Sequence, residues 1–219
     1  MKPTMLFWAL TALAAAPALA VGPAQTLPVD AEMAAILAVK GDPVKGKDAY
    51  DICRGCHRPD ASGKAEAGYP QLAGQHPQVI IKQMADVRAG RRDSHKMLDF
   101  IVEEVLPAEQ IAHIAAYLHS LPVPTTNGKG DGRMLDLGKH LYDRDCAVCH
   151  GQHGEGNGEK FYPRVAGQHY NYLYRESRES RDKGRRNSNP EMVRVIRHYT
   201  DDDLKAVSDY MSRLAPPRP

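Results

Sequence analysis

All four cysteines of this 219-residue chain fall in two copies of one five-residue pattern. The copies are Cys53-Arg54-Gly55-Cys56-His57 and Cys146-Ala147-Val148-Cys149-His150, 93 positions apart. The same offset relates residues well outside the motif. Tyr69-Pro70 recurs as Tyr162-Pro163, Ala73-Gly74-Gln75-His76 as Ala166-Gly167-Gln168-His169, and Tyr117 as Tyr210. One offset over scattered positions implies a duplicated domain, each copy long enough to hold its own core.

The pattern C-x-x-C-H is the attachment signature of c-type haem. Two intervening residues let both thiols reach the two vinyl groups on one porphyrin edge, forming thioethers. The adjacent histidine then lies under the ring and ligates iron through a ring nitrogen. Other uses of paired cysteines fit less well. The knuckles of a zinc ribbon lie much closer together, a thioredoxin-like motif needs an α/β pattern, and two disulfides leave the histidines unexplained. The expected cofactors are therefore two covalently bound haem c groups, held by Cys53, Cys56, Cys146 and Cys149. His57 and His150 are the proximal iron ligands.

The rest of the pattern is helical, so the fold class is all-α. Short helices over 45–52 and 137–145 lead into the two motifs. Longer ones are expected over 78–89 and 170–182. The last helix of each half is the clearest: Ile111, Ile114, Ala115 and Leu118 share one face, as do Leu204, Val207, Met211 and Leu214. Pro107 suits a first helical position, and Thr200 an N-cap with Asp201, Asp202 and Asp203 behind it. Proline and glycine cluster between Pro122 and Gly132, which reads as a linker. The division expected is a signal segment over 1–20, an N-terminal extension over 21–42, a domain over 43–121, the linker over 122–132 and a second domain over 133–219. Domains of about ninety residues are marginal alone, so the haem is expected to complete each core.

Each iron needs a donor on its other face. In the first half Met84 lies inside a helix and reads as core filling. Met97 follows the polar stretch Arg91–Lys96 and is the candidate, with His95 as its rival. In the second half Met192 is the candidate, and Met211 belongs to an apolar face. His57 precedes Met97 by 40 residues and His150 precedes Met192 by 42. Thioether ligation favours a high potential. Two filled positions leave no iron open to substrate, which argues for electron transfer over catalysis.

The first twenty residues pair Lys2 with an apolar run from Met5 to Ala16 and a small-x-small end at Ala18-Leu19-Ala20, the pattern of a cleaved export signal. Cleavage would place the chain in the periplasm; retention would instead leave the segment as a membrane anchor, holding the chain in peripheral association with the membrane. Net charge is +2, with no field calling for nucleic acid as a partner. Residues 30–121 carry 11 Lys and Arg against 13 Asp and Glu, and residues 122–219 carry 17 against 14, a weak dipole suited to orienting a redox partner. Three repeated or clustered features read as structural. His76 and His169 would cap the helices that follow them, Arg175–Arg186 would be a mostly solvated basic face, and Tyr170, Tyr172 and Tyr174 would pack around haem.

Taken together, C-x-x-C-H, Tyr-Pro-x-x-Ala-Gly-Gln, a later methionine and a last helix ending Tyr-x-x-x-Leu, present twice, resemble the dihaem cytochromes c4, built from two tandem class I cytochrome c domains. The resemblance covers Lys45 to Leu214. It implies that Pro70 and Pro163 present carbonyls to the axial histidines. It also implies that Gly46, Tyr50 and Tyr117, and again Gly138, Tyr142 and Tyr210, pack the first helix of each domain on the last. It further implies periplasmic electron transfer among redox proteins, often toward a terminal oxidase. Two other functions share these features: an electron-accepting cytochrome subunit of a periplasmic dehydrogenase, for instance in sulfur-compound oxidation, and a dihaem enzyme, which needs an open or differently ligated iron. The segment 21–42 is longer than the family pattern requires, with a short amphipathic helix expected over 31–39.

Overall fold

A computed structural model describes residues 29–215. The expected signal segment and the start of the extension lie outside the described residues. The first half contains α1 (Ala31–Ala38), α2 (Pro43–Ala49), α3 (Arg54–His57), α4 (Pro77–Arg88), α5 (His95–Ile101) and α6 (Ala108–Ser120). The second contains α7 (Leu135–Leu141), α8 (Ala147–His150), α9 (Tyr170–Arg181), α10 (Pro190–Ile196) and α11 (Asp201–Arg213). Among the described residues the only extended pairings are two isolated bridges, Lys64 with Tyr69 and Asn157 with Tyr162, themselves 93 apart. The all-α reading holds among the described residues.

Each domain is organised by one helix crossing, α2 on α6 and α7 on α11. Glycine makes the crossing close. A Cβ on Gly46 would lie 1.9 Å from the His113 carbonyl oxygen, and one on Gly138 would lie 2.2 Å from that of Ala206. A tyrosine pair closes the same contact: Tyr50 and Tyr117 rings are 5.6 Å apart, Tyr142 and Tyr210 rings 5.5 Å apart, both tilted. The two buried hydroxyls donate to Arg58 and Gly151 carbonyls at 3.0 and 2.7 Å.

Helix starts follow local chemistry. Asp42 accepts from Val44 and Lys45 amides ahead of Pro43, and Asn189 accepts from the Glu191 amide ahead of Pro190. Thr200 and Asp203 form a reciprocal capping box. Pro107 sits one place earlier than expected, at the N-cap of α6 with ψ 148°, because its carbonyl already accepts from Gln110 while its own backbone is extended.

The two halves differ where the chain enters the motif. The expected single helix over 45–52 is α2 followed by a 3₁₀ turn, Tyr50–Ile52; that over 137–145 is α7 followed by a π turn, Tyr142–Cys146. Gly46 to Gly138 and Tyr50 to Tyr142 are 92 apart, whereas the cysteines are 93 apart. The second half thus carries one extra residue, and the wider π turn absorbs it without moving either Gly138 or Cys146 out of register.

The helix expected within the extension is α1, capped by Asp30. Its Met33 and Ile36 are fully buried in one cluster with Met84 and Val87 of α4. Glu32 pairs with Arg88 at 2.7 Å, and Asp30 with Arg91. In the second half, where no such helix packs among the described residues, the positions matching Met84 and Val87 are Ser177 and Ser180. The linker is pinned rather than slack: Gly130 and Gly132 amides donate to Asp209 at 3.0 and 2.8 Å, and Asn127 donates to Gln168 and Ser212 carbonyls.

Candidate functional site

The two motifs fold as single helical turns, α3 and α8, each entered by a cysteine. A turn places the cysteines at i and i+3, with histidine next to the second, on one side of the chain. No disulfide joins any of the four thiols. Burial pushes the Cys53 thiol up to about 11 and the Cys146 thiol up to about 12. His57 Nδ1 lies 3.2 Å from the Pro70 carbonyl oxygen and His150 Nδ1 2.9 Å from that of Pro163. A carbonyl only accepts, so Nδ1 carries the proton and Nε2 keeps the lone pair that a metal needs. Burial lowers the pKa of both rings and holds them neutral.

In the first half this turn borders a cleft of about 460 Å³. Cys53, Cys56, His57, Tyr69 and Pro70 line one side, with Met97, Phe100 and Ile101 also facing the cleft. His95 does not line it; its side chain is 89% exposed and lies 3.2 Å from Asp93. Met97 was expected in a polar loop, but it is the third residue of α5; Met192 is likewise the third residue of α10. Both helices have seven residues, too few for an apolar face to declare itself in sequence. Met192 packs against the cluster that contains Cys146, Ala147 and Leu173. Met84 and Met211 are core residues, 4% and 5% exposed. The cleft fits a haem: two thiols on its edge, and an imidazole and a thioether both turned into it. When bound, haem supplies one-electron redox chemistry at iron.

The polar lining of this cleft comes from both halves, with Arg92, Asp93, Ser94 and Lys96 from the first. Tyr172, Arg175, Glu176 and Glu179 of α9 line it, with Arg185 beyond. Of the segment read as a mostly solvated basic face, Arg178, Lys183 and Arg186 are exposed, while Arg175 and Arg185 line the cleft between the halves. Arg92 donates to the Tyr172 hydroxyl at 3.1 Å and to Glu176 at 3.2 Å, and Arg175 and Arg185 reach the same carboxylate at 3.0 and 3.2 Å. Burial alone would raise the pKa of Glu176, but the charges of Arg92 and Arg185, with Arg175, hold it below the ordinary glutamate range.

The repeated Ala-Gly-Gln-His segments meet across a local two-fold axis. The Gln71 amide donates to Gln168 Oε1 at 2.9 Å, and Gln168 Nε2 donates back to the Gln71 carbonyl at 2.8 Å. At the matching positions the Arg164 amide donates to Gln75 Oε1 at 2.9 Å, and Gln75 Nε2 donates to the Arg164 carbonyl at 3.1 Å. His76 Nε2 donates to the Glu155 carbonyl at 2.8 Å, and His169 Nε2 to the Ser62 carbonyl at 2.9 Å. Both histidines stand at the N-caps of the helices that follow them, as the sequence suggested, but their side chains make no capping bond and join the domains instead. The repetition was the available signal, since a two-fold interface uses one patch twice.

The Cytochrome c family model matches residues 43–122 and 135–215. A cytochrome c4 of Azotobacter vinelandii is 30% identical, over 80% of this chain and 90% of its own length. The thiosulfate dehydrogenase electron acceptor of Stutzerimonas stutzeri (strain A1501) is 33% identical, over 74% of this chain and 78% of its own. Reduced cytochrome c4 from Pseudomonas stutzeri, a crystal structure, superposes with a TM-score of 0.72 at 27% identity, over 80% of this chain and 100% of that one. With two C-x-x-C-H turns, one in each of two cytochrome c domains, this chain belongs to the dihaem cytochrome c4 family and is an electron-transfer protein with two covalently bound haem c groups.

Proposed function

We propose that the chain is a periplasmic carrier, not an enzyme, in which each iron is closed by a histidine and a methionine. The pairs are His57 with Met97 and His150 with Met192. The observation that carries this reading is the first cleft, which both His57 and Met97 line while His95 stays in water. The matching position of Met192, third in its helix like Met97, extends it to the second half. A thioether opposite an imidazole favours the ferrous state and a high potential, which suits delivery toward a terminal oxidase. No helix among the described residues is long and apolar enough to cross a membrane, and the signal pattern over residues 1–20 supports export.

The test is the absorption spectrum of the ferric protein. His/Met ligation at both sites gives a weak far-red sulfur-to-iron band with the intensity of two haems. Half that intensity would leave one iron without its methionine.

A second reading is an electron-accepting partner of a periplasmic dehydrogenase. Its specific support is the 33% identity to a thiosulfate dehydrogenase electron acceptor. Copurification with a catalytic subunit that reduces the haems in the presence of its substrate would favour it; isolation alone favours the free carrier.

A further inference from the structure

The two helices that carry the candidate methionines are held differently. In the second half α10 begins with Pro190 and is capped by the Asn189 side chain. In the first half α5 begins at His95 without a proline, and its N-cap, Ser94, makes no side-chain bond. A helix of two turns needs such support, because its end groups find no partners within it. For α5 the support comes at the other end. Arg88, the last residue of α4, donates to the carbonyl of Ile101, where α5 ends, and to the carbonyl of Leu106 beyond it. A guanidinium there also meets the negative end of the helix. The equivalent residue, Arg181, donates to the Tyr199 carbonyl at 3.0 Å, and the carboxylates it meets, Asp182 and Asp201, belong to its own domain.

Arg88 is itself held from outside the repeat. Its side chain is 7% exposed, and Glu32 of α1 accepts from it at 2.7 Å. Glu103 accepts at 2.6 Å as well, but its own side chain is 60% exposed. Met33 and Ile36 of α1 are buried with Met84, which stands one turn before Arg88 on the same face of α4. Met97 and Leu98 of α5 pack against that same cluster. We infer that α1 is a strap for the sixth ligand of the first haem: Glu32 fixes Arg88, and Arg88 fixes the end of the helix that carries Met97. Both are positioning residues, acting through α5. Closure of the first iron then depends on the N-terminal extension, whereas the second domain holds its methionine helix with its own residues. The inference rests on Met97 as the sixth ligand.

The experiment is a titration of the ferric two-haem protein with imidazole, which competes with the methionines. Loss of the far-red band measures binding, and paramagnetically shifted methyl resonances tell the two haems apart. Glu32→Gln should raise the first haem's affinity for imidazole about threefold, as for loss of a half-exposed ion pair. Arg88→Ala, which strips the Ile101 and Leu106 carbonyls of their donor, should raise it about tenfold or more. Deleting residues 29–40 should do the same; Met84→Ser and Val87→Ser, the residues the second domain carries at these positions, keep the uncovered face of α4 polar. In each variant the second haem should bind as in the wild type. Leu118→Ala, in the same core but at the far end of α6 from Leu106, should lower the melting temperature and leave both affinities unchanged. If the deletion or Arg88→Ala does not fold, Glu32→Gln decides alone. An unmoved first haem, equal changes at both haems, or an equal change from Leu118→Ala would overturn the strap, as would an effect of Arg88→Ala with none from Glu32→Gln. A far-red band left whole by Met97→Ala would instead overturn the ligand reading beneath it, and the strap with it.

Discussion

Met97 and Met192 occupy equal places in equal helices, while Met84 and Met211 are packed in cores, and substitution should separate the two classes. Met97→Ala should remove half of the far-red band, lower the first haem's potential and admit exogenous ligands there; Met192→Ala should do the same for the second. Met84→Ala should leave the band whole and cost about 2–5 kcal/mol in unfolding free energy. His95→Ala should change neither, since the ring is in water. Spectra and thermal melts of the four variants check this. At this scale the sequence was most readable where chemistry is local. C-x-x-C-H identifies the attachment residues without help from the fold. The carbonyls of Pro70 and Pro163 are thirteen residues from the rings they meet, and they were reached through the family resemblance. The environment of Glu176 was not readable, because the arginine that breaks its solvation, Arg92, lies 84 residues away.

The crossing of α2 on α6 is the element on which each domain depends. Gly46→Ala would press a methyl group into the His113 carbonyl, a backbone atom that cannot rotate away. It should cost about 3 kcal/mol or more and destabilise the first domain first. Gly138→Ala should do the same in the second. Denaturant melts followed at each haem's absorption would show which half yields. Helices with an apolar face of three turns, α6 and α11, were plain in the pattern. The helices α5 and α10 were read as loops because seven residues hold two turns and begin in polar sequence. The π turn before Cys146 was hidden by the fixed offset of the motifs. It shows only when Gly138 and Tyr142 are counted separately from the cysteines.

Across the whole molecule, the two domains are joined by polar groups whose protonation is linked to docking. Burial lowers the pKa of His76 and His169, and both rings donate one proton to a carbonyl while remaining neutral. His169 also accepts from the Gly128 amide, which a second ring proton would prevent. Glu176 is held below its ordinary range by the neighbouring arginines. Burial would raise the pKa of Asp86, but hydrogen bonds from Lys82, Asn187 and Arg91 hold it low. In each case the separated state binds more protons than the docked one, so stability rises with pH. The interface should be intact at neutral pH, weaken as pH falls below about 6.5 through the histidines, and weaken more steeply below about 4.5 through the carboxylates. Melting the two-haem protein at a series of pH values checks the order. Rising stability on acidification would contradict it.

Carbon monoxide binding to the reduced protein reports on both irons at once. If His57 and Met97 close one iron and His150 and Met192 the other, as proposed, a protein whose mass includes two haems should show no carbon monoxide complex in its Soret spectrum at neutral pH. A complex formed by one or both haems would mean an open iron, and the closed carrier would give way to a dihaem enzyme.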